Sequence, residues 1–179
     1  MKIEIIDNFL SSYHADSYER LIGDSSNEFP LFYYDDLNEN YYLGNYYFVN
    51  ALVNDYHSTK FGNDYFHSFL PFLSKFNLTT SNKTQYNLQR LYRLKVNLYP
   101  RTHRMVHHEP HTDYEPNLGL RTCLYYVNTN NGFTIFDGKR KIRSKKNRAI
   151  IFDGSTLHHS TTPTDANCGI SINIDYNKS

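Results

Sequence analysis

From Leu88 onward the chain delivers strand signals in quick succession, and this constrains the fold more than any other feature. Residues 91–99 alternate. Leu91, Arg93 and Lys95 fall on one parity, Tyr92, Leu94 and Val96 on the other, and Pro100 ends the run. Residues 104–108 make a short strand candidate. LRTCLYYV at 120–127 is rich in strand formers, and Asn130-Asn131-Gly132 is a tight-turn signal before residues 133–136. Residues 149–153 form an apolar run, the pattern of a buried strand, and GISINIDY at 169–176 alternates again. Closely spaced short strands after a helical first part predict an antiparallel sandwich or barrel backed by helices, an α+β, mainly β class.

The first half is mixed. A strand is expected within residues 2–7. Ser12 offers an N-cap to a helix with Ala15, Tyr18, Leu21 and Ile22 on one face, and Gly23 stops it. A second amphipathic helix is expected through Tyr65, Phe66, Phe69, Leu70 and Leu73, kinked or split at Pro71. Residues 24–45 read as an Asn/Asp/Tyr-rich loop with a strand near 31–34, and residues 79–87 as a polar linker. There are no repeats, so residues 1–179 read as one domain. Within it, 1–87 is helical and loop support with a candidate lid at 33–47, and 88–179 is the barrel core.

Composition narrows the class. A net charge of +1 gives no whole-molecule attraction to nucleic acid or anionic lipid. Cys123 and Cys168 lie in strand-like runs and read as buried thiols rather than a disulfide framework. With no signal peptide at the start and no apolar run long enough to span a membrane, the expected location is a reducing cytoplasm. The core must draw on 17 Tyr and 12 Phe, with no Trp.

Histidine carries the chemistry. His103, His107, His108 and His111 precede Asp113, and His158 and His159 follow the buried strand. On extended chain, residues i and i+2 point to one side, so His111-Thr112-Asp113 aims an imidazole and a carboxylate into one space. A further imidazole from His158 or His159 completes a facial set of two His and one carboxylate, which leaves three metal positions open.

At these residues the chain resembles the 2-oxoglutarate/Fe(II)-dependent oxygenases of the prolyl-4-hydroxylase-like group, in the small form common in phage genomes. The likeness is carried by IDNFLS at 6–11, VNLYP at 96–100, HTD at 111–113, LYYVNTNNG at 124–132, NRAIIFDGSTLHHS at 147–160 and TDANCGISINIDY at 164–176. It implies a double-stranded β-helix, a cupin-like jelly roll, holding Fe(II) on His111, Asp113 and His158, with His159 as the alternative. It implies Tyr99 and Tyr126 beside 2-oxoglutarate, which with O2 would hydroxylate a C–H bond. Succinate and CO2 are the expected co-products and a peptide or protein the expected substrate; the family would then place the protein in a host cytoplasm if it is viral. One departure stands out. The family carries an Arg or Lys about ten residues after the distal His to pair the co-substrate's distal carboxylate, and this chain has Asn167-Cys168-Gly169 there. Arg121 is the first substitute, then Lys95 and Arg93. The gap keeps open a metal enzyme that ignores 2-oxoglutarate, or a binding domain on the same barrel. Residues 139–148 hold seven Lys or Arg in ten. They read as a nucleic-acid or acidic-peptide contact, or as a solvated turn between strands.

Overall fold

The computed structural model describes residues 2–24, 26, 29–34, 46–54, 57–58, 62–76 and 91–177. The linker expected at 79–87 and most of the candidate lid, residues 35–45, lie outside them.

Eleven strands and a helical layer make up the described fold. β1 (Glu4–Asp7) leads into α1 (Ser12–Gly23). β2 (Phe32–Tyr34), β3 (Tyr47–Asn54) and β4 (His57–Ser58) follow, then α2 (Gly62–Tyr65) and α3 (Leu70–Leu73), with a 3-10 turn at Phe66–Phe69 between them. The barrel strands are β5 (Leu91–Pro100), β6 (Leu120–Tyr126), β7 (Phe133–Phe136), β8 (Arg140–Arg143), β9 (Arg148–Asp153), β10 (His158–Ser160) and β11 (Cys168–Asn177). All pair antiparallel. The larger sheet runs β1-β9-β6-β11-β5-β3-β2, with β4 also on β3, and the smaller runs β10-β7-β8. The fold is a jelly roll, as expected.

Local rules explain the differences from expectation. The cap of α1 is Ser11, one residue before the expected Ser12. Ser11 is extended and its hydroxyl accepts the His14 N–H at 3.3 Å, while Ser12 is already helical. Pro71 splits the second helix by sitting in the first turn of α3, where its missing N–H costs nothing. Residues 104–108 form no strand; His107 makes only an isolated bridge to Thr161. The Asn130–Gly132 turn carries the chain from the larger sheet to the smaller one rather than closing a hairpin, and residues 144–147 carry it back.

Two apolar clusters hold the layers. One face of the larger sheet, with Leu94, Val96, Cys123, Tyr125, Ile172 and Ile174, packs under Tyr18, Phe69 and Phe72 of the helical layer. Tyr18 stacks on Phe69 at 5.4 Å, and Phe72 meets Tyr125 edge-on at 4.9 Å. The other cluster joins the two sheets through Leu124, Ile150 and Phe152 against Phe136 and Ile142. Cys123 is fully buried and Cys168 half-buried, both as free thiols.

The basic segment is tied inward. Lys145 and Arg148 pair with Asp7, and Lys146 pairs with Asp16 and Glu19 of α1. These exposed pairs are worth little individually. The firmer staple is Asn147, a buried residue at φ 62°. Its amide accepts Leu10 N–H at 2.8 Å and donates to Leu10 O at 2.9 Å, and Tyr125 Oη donates to it at 3.3 Å.

Asn147→Ala is therefore expected to cost about 2–4 kcal/mol in urea unfolding, from orphaned buried partners and a strained Ala backbone. Asn147→Gly, which relieves only the backbone, should recover part of the loss. An alanine variant as stable as the parent would contradict the staple.

Candidate metal centre

The strands at the middle of the larger sheet have a dry face and a wet face. On β5 the odd positions Arg93, Lys95, Asn97 and Tyr99 turn away from the helices; on β11 Ser171, Asn173 and Asp175 do the same, and on β6 Thr122, Leu124 and Tyr126. Most of these line one cavity of about 290 Å³. His111, Asp113 and His158 line it as well.

His111 and His158 are brought together by backbone. Each N–H donates to the other's carbonyl at 2.9 Å, and the rings lie 4.7 Å apart. His111 Nδ1 is 3.1 Å from Glu109 O, and His158 Nδ1 is 2.9 Å from Thr156 O. A carbonyl can only accept, so each Nδ1 carries the proton and each Nε2 is left with a free lone pair. Asp113 is held by its own N–H and that of Tyr114, both donating to Gly154 O at 3.0 and 3.1 Å. Its Oδ2 stands 3.7 Å from His158 Nε2. One ligand atom from each of the three residues lies within 4.8 Å of the others. This donor set fits a divalent metal ion, and the carbonyl bonds behind the imidazoles are what fix their ligand nitrogens.

His159, the alternative third ligand, is one residue on along β10 and faces the other way. Its Nε2 lies 3.3 Å from His107 Nδ1. His108 is buried with its Nδ1 2.7 Å from Ser160 Oγ. His108 and Asn97 both line the cavity, and His108 Nε2 and Asn97 Oδ1 are buried without a hydrogen-bond partner. Burial and the neighbouring imidazoles push His108 down to about 4, so it is neutral near pH 7.

Tyr99 and Tyr126 both line the cavity. Tyr99 stacks on Tyr47 at 5.5 Å. The Tyr126 hydroxyl donates to Thr134 Oγ1 at 2.7 Å, so its proton is already engaged. Arg121 is not brought to the site. It shares the parity of Cys123 and Tyr125 on β6, and its Nε donates to Phe152 O at 3.2 Å. Of the substitute bases, Lys95 and Arg93 line the cavity. Arg93 is committed: Nη2 to Asp113 Oδ1 at 2.7 Å and Nε to Asp175 Oδ2 at 2.6 Å. Lys95 makes no ion pair among the described residues and lies 6.0 Å from the centroid of the Tyr47 ring. Burial and the Arg93 charge push it down to about 8.

Asp175 and Thr122 are functional candidates that sequence reasoning missed. The signal was present, since Asp175 is the one charged residue in the alternating run GISINIDY. Burial raises Asp113 and Asp175 alike, but the Arg93 charge and the imidazoles outweigh it at Asp113 and hold that carboxyl below the usual range. At Asp175 burial wins and the carboxyl is raised.

No family model matches the chain, and no curated protein matches it. Solved structures do. A prolyl hydroxylase from Trichoplax adhaerens, in complex with a hypoxia-inducible-factor peptide fragment, superposes with TM-score 0.59 at 15% identity, over 98% of this chain and 83% of that one. The viral collagen prolyl hydroxylase of Paramecium Bursaria Chlorella virus-1, as its 2-oxoglutarate complex, gives 0.52 at 21%, over 100% and 97%. The non-heme α-ketoglutarate-dependent epimerase SnoN from nogalamycin biosynthesis gives 0.63 at 12%, over 97% and 76%. At these identities the likeness is one of fold, and that fold is the jelly roll of the 2-oxoglutarate/Fe(II) oxygenases.

His158→Ala is expected to abolish stoichiometric binding of Co(II) or Fe(II), and His159→Ala to leave it within about threefold, because only His158 Nε2 faces Asp113. The reverse ranking in anaerobic metal titrations would contradict this assignment.

Proposed function

We propose that this chain is an Fe(II)- and 2-oxoglutarate-dependent dioxygenase that hydroxylates a C–H bond of a peptidyl substrate. One observation carries the reading: two imidazoles with their Nε2 lone pairs freed, and a carboxylate oxygen, converge on a polar cavity. Such a set leaves three positions on a divalent ion for a chelating acid and O2. With iron and 2-oxoglutarate bound, the site supplies oxidative decarboxylation to succinate and CO2, with one oxygen atom delivered to the substrate.

The chain's own residues do the rest. Glu109 O and Thr156 O keep the protons of His111 and His158 on Nδ1. Arg93 holds the Asp113 carboxylate through Oδ1, and the Thr122 hydroxyl stands 3.1 Å from its Oδ2. Lys95 is the residue we assign to the distal carboxylate of 2-oxoglutarate, since an anion beside it offsets the cost of its burial. Tyr99 and Tyr126 wall the same space. On the substrate side, Tyr34 lines the cavity and belongs to β2, which among the described residues is an edge strand of the larger sheet, with exposed Phe32 and Tyr33. An edge strand bearing aromatic rings suits an extended peptide. The basic segment 139–148 is a weaker candidate for nucleic acid, because Lys145, Lys146 and Arg148 are already paired with acids of the N-terminal elements. No helix among the described residues is long and apolar enough to cross a membrane. The two free thiols suit a reducing cytoplasm.

A second reading, a metal enzyme that ignores 2-oxoglutarate, is favoured by the cavity side of β11, where Gly169, Ser171, Asn173 and Asp175 include no cation. The two readings separate cleanly. Under the first, the parent protein with Fe(II) and O2 forms succinate from 2-oxoglutarate and Asp113→Ala forms none. Lys95→Met should bind 2-oxoglutarate roughly 10–100-fold more weakly, the worth of one charged hydrogen bond. 2-Oxovalerate, which lacks the distal carboxylate, should bind both proteins alike. No succinate, together with no preference of the parent for 2-oxoglutarate over 2-oxovalerate, would support the second reading instead.

A further inference from the structure

We infer that Asp175 is a positioning residue for the metal carboxylate: it occupies Arg93 and Thr122 so that Asp113 is offered to the ion in one orientation. The inference rests on His111, Asp113 and His158 being metal ligands.

Asp175 is fully buried on β11 and is not among the three clustered ligands. Among the described residues its side-chain hydrogen bonds, to Arg93, Thr122 and Tyr114, all lead back to Asp113. Its Oδ2 accepts Arg93 Nε at 2.6 Å, and its Oδ1 accepts the Thr122 hydroxyl at 2.7 Å. The same Arg93 donates from Nη2 to Asp113 Oδ1 at 2.7 Å, and the same Thr122 hydroxyl lies 3.1 Å from Asp113 Oδ2. Tyr114, next to Asp113 in the chain, donates its hydroxyl to Asp175 Oδ2 at 3.2 Å and sets its ring 4.9 Å from the Arg93 guanidinium carbon. The strand register makes this possible, since Asp175 pairs with Arg93 on one side and Thr122 on the other.

The consequence follows from guanidinium geometry. Arg prefers to take both oxygens of one carboxylate through two parallel N–H bonds. With Asp175 in place, Arg93 divides its donors between two carboxylates and takes a single oxygen of Asp113. Asp113 Oδ2 is thereby left facing His158 Nε2. Without the Asp175 charge, Arg93 is free to close on Asp113 alone and to compete with the metal for it. A buried acid is a poor way to stabilise a fold, because an apolar residue of similar size often does as well. Asp175 is explained by what it does to Arg93.

The test is anaerobic titration of the folded, metal-free protein with Fe(II) and with Co(II), whose visible spectrum reports ligand geometry. Asp175→Asn should weaken metal binding roughly 10–100-fold and alter the Co(II) spectrum. Adding Arg93→Gln to Asp175→Asn should recover most of the affinity, because the competing guanidinium is gone. Thr122→Val, which leaves every charge in place, should weaken binding to a smaller degree. Native affinity and spectrum in Asp175→Asn, or a loss that Arg93→Gln does not rescue, would overturn the inference. Should Asp175→Asn fail to fold, native affinity and spectrum in Thr122→Val would overturn it. A parent protein that binds neither ion contradicts the metal reading itself.

Discussion

Period-two alternation along β5, β6 and β11 is the constraint on which the rest of this structure depends. These strands lie side by side in the larger sheet, and each sends one parity to each face. Leu94, Val96, Cys123, Tyr125, Ile172 and Ile174 go under the helical layer, where burial drives folding. Arg93, Lys95, Asn97, Thr122, Asn173 and Asp175 go to the other face. A register slip of one residue would put charges into the apolar layer and leave the cavity lined with isoleucine. The same alternation that makes the core thus delivers the polar wall of the site, and the smaller sheet lines the opposite side of the cavity with Phe133, Thr134, His158 and Ser160.

The electrostatics of that wall fit its proposed contents. Arg93 and Lys95 share this face of the sheet with Asp113 and Asp175, and their formal charges cancel. Arg93 is spent between the two carboxylates, which leaves Lys95 as a cation without an ion pair among the described residues. A divalent ion brings two positive charges and 2-oxoglutarate two negative ones, so the filled cavity is again neutral. Buried charge is expensive unless balanced, and this arrangement keeps the summed charge of these groups at zero both before and after binding.

Much of this was legible in the sequence, for reasons visible in particular residues. Alternation at 91–99 and 169–176 and the apolar run at 149–153 located the central strands, because a half-buried strand must alternate. His111 and Asp113 were legible as a pair from their spacing. The preference for His158 over His159 rested on the family resemblance alone, since neighbours on a strand differ only in the face they take, and the backbone bridge from His158 to His111 is what turns His158 toward the cluster. Arg121 looked like a substitute base because parity relative to the cavity is invisible until the partner strands are known. Ser11 rather than Ser12 caps α1, a difference of one residue that capping preferences do not resolve. In the sequence Asp175 is one polar step of an alternating strand, and its pairing with both Arg93 and Thr122 depends on contacts distant in the chain.

The central claim is that the cluster of His111, Asp113 and His158 binds iron, which in turn binds 2-oxoglutarate. The most direct measurement is an anaerobic titration of the Fe(II)-loaded protein with 2-oxoglutarate, followed in the visible spectrum. A keto acid chelating Fe(II) produces a charge-transfer band that neither component shows alone. The account predicts such a band, saturating at one equivalent of 2-oxoglutarate and absent from Asp113→Ala. Fe(II)-loaded protein that develops no band, and shows no 2-oxoglutarate binding by calorimetry, would contradict it.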